Sequence, residues 1–299
     1  MKIIRPLAIT DAVLISSNVP EDDYPVYAPG STYAQGARVV VLGPEVHLVY
    51  ESLQAANIGH SPELSMEYWA KVGPTNRWRM FDASITTQAE RPDSISVSLA
   101  TAGITNGVAL LNIDCTGIHV QAVDAILGVV YDKNINPALT SGINNLYSYF
   151  TEPITRITEL ALTDLPAYSN MRINITLSNI GRTVRCGGIV VGQVRKMGEL
   201  QYGAKIGIAD YSVKTRDVFG NFDVVQRAFS NKATWSLWIA SGEVDLFKRL
   251  LAQYRSTPIV YIGAEMYGAT IIYGFYKDFS IDISYPAISI CSLELEGLT

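Results

Sequence analysis

The chain has 299 residues, of which 17% are charged, with a net charge of −5, 17 tyrosines and 23 glycines. This length is enough to bury a core and suggests two or three domains, and the abundance of Val, Ile, Thr, Tyr and Ser favours strands and turns over helices. The negative balance excludes nucleic-acid binding through a general positive field.

The opening "MKIIRPLAITDAVLIS" is interrupted by Pro6 and Asp11, so it lacks the apolar run of a signal peptide. No segment approaches the length of unbroken apolar residues that a membrane helix needs, and no membrane insertion is expected. Residues 1–23 read as a lone strand followed by a polar arm. Residues 24–73 read as a small turn-punctuated unit with strands "ARVVVL", "HLVYESL" and "EYWAKV". A unit of that size needs its own aromatics as core, or support from its neighbours.

Residues 74–194 carry short strands at regular spacing, among them "SISVSLA", "VALLNID", "GIHVQAV", "LYSYF", "ITELALTDL", "RINITLS" and "VRCGGIVVG". Gly, Asn, Pro and Asp turns separate them. The pattern predicts a jelly-roll-like β-sandwich, and the absence of a βαβ rhythm excludes a dinucleotide-binding fold.

In residues 195–299 one helix stands out, "SGEVDLFKRLLAQYR". It places Val244, Phe247, Leu251 and Tyr254 on one stripe with Leu246 and Leu250 beside it. Ser241 is the expected N-cap. Strands "YSVKTRD" and "FDVVQRAF" flank a "VFGN" turn, and "TWSLWI", "PIVYIG", "TIIYGFY", "FSIDISY" and "ISICSLELE" surround the helix. This predicts a second β-sandwich or barrel with one packed helix, and an all-β class for the whole chain. "TWSLWI" puts Trp235 and Trp238 on opposite faces, and "TIIYGFY" sets Ile271 and Tyr273 against Ile272. Strands that are apolar on both faces want cover beyond a single sandwich. Trp238 and Tyr273 are therefore the expected subunit-interface residues.

Catalytic constellations are not found. His47, His60 and His119 have no metal-ligand spacing. "GGIVVG" (187–192) does not have the order of a phosphate loop, and neither a G-x-S-x-G nor a Cys-His signature occurs. Glycoside hydrolysis needs two carboxylates across a cleft, and Glu63 with Glu67 reads as a solvated loop pair. The chain is expected not to be an enzyme and to hold no metal or cofactor. Cys115, Cys186 and Cys291 are odd in number and sit in apolar strands, as buried thiols made in a reducing cytoplasm do.

Two resemblances add to this reading. Tyr27, five residues, Tyr33, two residues, Gly36, two residues, Val39, then Tyr50 and Trp69 resembles the small aromatic chitin- and cellulose-binding modules appended to chitinases. It departs at Tyr27, where that family carries Trp, and by an insertion at "GPEVH". The resemblance implies a carbohydrate-binding-module-like insert with Tyr27, Tyr33, Tyr50 and Trp69 as glycan-contacting candidates. The alternative is that these rings are the module's own core.

Over nearly its full length the chain also resembles a family of bacteriophage and prophage tail proteins. The leading strand, the aromatic module, the galactose-binding-like opening "TNRWRMFD" and the ending "YGFYKDFSIDISYPAISICSLELEGL" carry that likeness. It implies a structural protein of the virion tail, in the tail tip, baseplate or distal tail. Such a protein would be made in the host cytoplasm and assemble with other tail proteins as a homo-oligomeric ring, with host surface glycan as a further contact. A free carbohydrate-binding protein and a subunit of a polysaccharide-degrading enzyme are the alternatives.

Overall fold

The computed structural model describes residues 1–139, 144–216 and 219–298. Strand makes up 51% of the chain and helix 9%, arranged in large antiparallel sheets, so the protein is all-β and of sandwich type.

In chain order, β1 (Lys2–Pro6) and β2 (Leu14–Ser17) precede a separate three-stranded sheet. That sheet consists of β3 (Arg38–Val41), β4 (Leu48–Ser52) and β5 (Trp69–Pro74). Then come β6 (Ala89–Ala100), β7 (Gly107–Asp114), β8 (Gly117–Asp124) and β9 (Gly128–Ile135). A short helix α1 (Leu146–Thr151) and β10 (Leu160–Leu162) lead to the 25-residue β11 (Arg172–Lys196). Beyond it lie β12 (Glu199–Leu200), β13 (Lys205–Asp210), β14 (Val213–Arg216), β15 (Phe222–Val225) and β16 (Phe229–Ala240). Helix α2 (Val244–Gln253), β17 (Ile259–Ile262), β18 (Ile271–Asp282) and β19 (Ile288–Gly297) complete the chain.

β11 organises the molecule. Its first half lies between β6 and β8. Past a register shift at Asn179/Thr183 its second half runs beside β7 and then β1. The alternation along β6 and β8 turns Ile95, Val97, Leu99, Ile118 and Val120 inward, onto Val108, Leu110, Ile189 and Val191. This is the sandwich core. β1 also pairs with β17, and β18, β19 and β16 extend the same sheet.

The central strands of that sheet are buried on both faces. Ile3, Tyr261 and Ile272 face the α2 side, where Trp235, Leu237 and Leu293 lie. Their sequence neighbours Ile4, Val260, Ile262 and Ile271 join Ala109, Leu111 and Val190 in a different cluster. From α2, Phe247, Leu250 and Leu251 are buried. Of the two residues placed beside the stripe, Leu250 is buried and Leu246 is exposed. Ser241 starts a 3-10 turn before the helix, and its hydroxyl donates to the Tyr285 carbonyl instead of capping.

"LYSYF" forms α1, not a strand. Asn145 accepts from the Ser148 amide, and the Ser148 side chain answers the cap's backbone, a capping box that overrides the β-propensity of the aromatics. Part of the "VFGN" turn, together with Asp217, lies outside the described residues. Among the described residues no helix is long and apolar enough to cross a membrane.

Candidate functional site

The aromatic segment folds around β3–β5, and all four of its expected site residues meet in one cluster with Val39. Tyr27 and Tyr33 stack at 5.8 Å between ring centroids. Trp69 meets both edge-on, at 5.9 and 5.2 Å. The Trp69 indole N–H and the Tyr27 hydroxyl both donate to the His60 carbonyl, each at 2.9 Å. The Ala28 amide donates to the Tyr33 hydroxyl at 2.8 Å. Trp69 is 2% exposed and Tyr50 8%.

A ring that stacks on a sugar must offer a free face, and Trp69 and Tyr50 offer none. They are the module's core. Tyr27 and Tyr33 keep a partly open surface but spend their ring contacts on each other and on Trp69.

The module is fastened to the body by one polar node. Glu21 accepts from the Thr75 hydroxyl at 2.6 Å, lies 2.7 Å from His47 Nδ1, and pairs with the Arg77 guanidinium at 3.2 Å. Arg77 also donates to the Val19 carbonyl, and the His47 ring lies 5.1 Å from that of Trp78. The Asn76 amide donates to the Asp23 carboxylate at 3.1 Å, so the chain enters and leaves the module at adjacent points.

The two expected interface residues separate. Trp238 is 51% exposed on the outer face of the α2-bearing sheet, between Glu199 of β12 and Ile290 of β19. A cleft of about 330 Å³ lies beside it, with Glu199, Glu243 and Ile288 in its wall. Tyr273 is half-buried instead. It pairs with Val260 and packs on the Ile4–Val190 cluster, so the second face of "TIIYGFY" is covered by the same chain.

Asp82 was missed from sequence, although it ends the quoted "TNRWRMFD". It lines two clefts, of about 270 and 620 Å³, the second facing the module through Leu48, Glu63 and Lys71. Partial burial raises its carboxyl to about 6, against the donated hydrogen bonds of the Ser84 amide (2.9 Å) and the Thr87 hydroxyl (3.2 Å). The Tyr273 phenol across the first cleft is raised to about 12, by burial first and the Asp82 charge second. Only its context inside a buried aromatic run signalled Asp82, and that signal does not separate a turn-capping carboxylate from a ligand-facing one.

Among the described residues no group of three or more His, Cys, Asp or Glu could hold a metal ion. His60 stacks on Tyr68 at 3.5 Å, and His119 pairs with Asp132. Comparison with known proteins finds no match among family models, curated proteins or solved structures.

Among the described residues, β14 and β15 form an exposed β-ribbon. β13 pairs with the start of β16, with Asp210 opposite Phe229. The Tyr211 amide then donates to the Ala228 carbonyl and the Arg227 amide to the Ser212 hydroxyl. From there β14 pairs with β15, Val213 opposite Val225 and Arg216 opposite Phe222. The ladder of β13 and β16 thus continues outward as a two-stranded arm, on which every residue of β14 and β15 is exposed.

Proposed function

We propose that the chain is a structural subunit of a bacteriophage tail tip or baseplate, assembling with copies of itself into a ring and with other tail proteins in the virion. The observation that carries this reading is the ribbon arm. An isolated two-stranded hairpin is marginal in water, and this one leaves Val213, Phe222, Val224 and Val225 exposed, with the Arg216 guanidinium over the Phe222 ring. Such an arm suits a chain whose neighbours supply the missing layer. Exposed Trp238 adds an aromatic anchor of the kind found at subunit contacts. The resemblance of nearly the whole sequence to phage tail proteins supplies the setting.

In this reading, contact with host glycan falls to the partly open Tyr27 and Tyr33 alone. A free carbohydrate-binding protein and a polysaccharide-degrading subunit gain no specific support from the geometry.

Mass spectrometry of purified particles, together with sedimentation of the recombinant chain, tests the proposal. The expected result is this chain in the tail fraction at several copies per particle and an oligomer in solution. A chain absent from particles and monomeric at high concentration overturns it.

A further inference from the structure

The first of the two clefts that Asp82 lines is bounded by the chain leaving β1, the Asp82 turn, β11, the segment leading into β17, and Tyr273 of β18. Ile9, Phe81, Val190 and Pro258 make much of its wall apolar. Its volume of about 270 Å³ stands near the lower end for small-ligand sites, which pair an apolar lining with a few converging polar groups. Those polar groups have bonding capacity to spare. A carboxylate offers two oxygens and about four acceptor positions. In Asp82, Oδ1 accepts from the Ser84 amide and Oδ2 from the Thr87 hydroxyl, which leaves capacity on each oxygen. Among the described residues, Arg79 is the cation whose charge acts on this carboxylate, and it forms no ion pair with it. The half-buried Tyr273 hydroxyl makes no hydrogen bond to a described residue. In the second cleft Asp82 meets Glu45 and Glu63 against the single cation Lys71.

We propose that the first cleft is a binding subsite for a primary ammonium group carried on a short aliphatic stem. An anion is disfavoured there by the Asp82 charge and the acidic balance beside it. A neutral polar group gains a hydrogen bond, whereas an ammonium also neutralises a carboxylate held partly out of water. The acceptors, Asp82 and Tyr273, belong to different walls. An ammonium's three donors rotate to meet both, while a guanidinium holds its donors in one plane. The stem lies against Ile9, Phe81, Val190 and Pro258. Burial raises the Asp82 carboxyl to about 6, so binding couples to pH. The ionised carboxylate is the binding form, and it makes up about one part in ten at pH 5 and nearly all at pH 7.5. Tyr273, held near 12, stays a neutral phenol throughout. A free alkylamine and a lysine side chain of another protein offer the same chemistry. The subsite is independent of the tail assembly proposed above, and neither falls with the other.

The test is saturation-transfer NMR on the full chain at constant ionic strength, with circular dichroism and Tm as fold controls. The ligand is n-butylamine, which like a lysine amine is protonated at both pH values. Its neutral counterpart is n-butanol, and Nα-acetyl-lysine methylamide carries the same stem on a peptide backbone. At pH 7.5 n-butylammonium is expected to bind in the millimolar range, as about five heavy atoms allow. It is expected to bind at least about 10-fold tighter than n-butanol. At pH 5 its affinity is expected to fall about 10-fold. Asp82→Asn is expected to reduce it to the level of n-butanol, and Tyr273→Phe to weaken it a few-fold. Binding of the lysine derivative with like affinity assigns the subsite to a protein's lysine, and binding of n-butylammonium alone assigns it to a free amine. Equal binding of n-butanol, an unchanged affinity in Asp82→Asn, or no transfer at about 20 mM amine overturns the proposal. The pH comparison uses the wild type alone, so it stands even where a variant misfolds, and equal affinities at pH 5 and 7.5 also overturn the proposal.

Discussion

Asp82 shows how a single residue couples the parts of this protein to pH. Its carboxyl is raised from the ordinary 3.8 to about 6 by burial, so between those values the folded chain holds a proton that the unfolded chain releases. The sign follows from linkage. The contribution to stability is fully present below about pH 4 and is lost as pH rises through 6. Thermal melts of wild type and Asp82→Asn at pH 4 and pH 7 should show the wild type losing ground to the variant on going to pH 7. The relative Tm shift is expected to be on the order of 2 °C. A wild type that gains on the variant as pH rises would mean that the hydrogen bonds from Ser84 and Thr87, not desolvation, govern this carboxyl. The buried thiols follow the same logic. Cys115 is raised to about 11, and Cys186 and Cys291 to about 12, by burial first, which keeps them neutral and unreactive in the folded state.

At the scale of elements, the joint between β1 and β11 decides whether the two halves share one sheet. Gly192 pairs with Pro6 on one side and Gly107 on the other. A Cβ at Gly192 would overlap the Arg5 carbonyl oxygen, which is backbone and cannot swing aside. Gly192→Ala is therefore expected to cost about 3 kcal/mol, the upper range for overpacking, and to lower Tm accordingly. Gly30→Ala, with open space around it and no left-handed φ, is the control and should lie within about 0.5 kcal/mol of wild type. Equal melts for the two variants would show that β1 is not tightly docked.

This joint is also where sequence reading reached its limit. The alternation in "SISVSLA" and the opposed faces of Trp235 and Trp238 were legible because side-chain direction along a strand is local. So was the body of α2, through Phe247, Leu250 and Leu251. β11 was not. "RINITLS" and "VRCGGIVVG" read as two strands, because Ile180–Gly181–Arg182 looks like a turn. In the fold it is a three-residue bulge that leaves both halves on β6. Bulge and turn draw on the same residues, and only the partner strand distinguishes them. The aromatic site suffered the same ambiguity. Order and spacing correctly gathered Tyr27, Tyr33, Tyr50 and Trp69, but spacing does not say whether a ring's free face meets solvent or another ring.

For the molecule as a whole, the question is how far the module and the body depend on each other. The module's cluster of Val39, Tyr50 and Trp69 is distinct from the three clusters of the body, and its sheet shares no strand with the large one. What crosses the boundary is chiefly polar: Glu21 with His47, Thr75 and Arg77, and the Asp11 amide donating to Pro44. Asp23 and Asn76 stand one hydrogen bond apart, so a short Gly-Ser bridge spans the gap when residues 25–72 are removed. The shortened chain loses the His47 ring beside Trp78 and one of the partners of Glu21. A buried Trp stripped of one neighbour and a half-satisfied carboxylate cost about 2–4 kcal/mol together. None of the three clusters of the body includes a residue of 25–72, so the remainder is expected to stay soluble and cooperative, with near-UV circular dichroism preserved and a lower Tm. If that product is insoluble or melts without a transition, the body's fold requires the module, and the polar node is a structural keystone instead of a fastening.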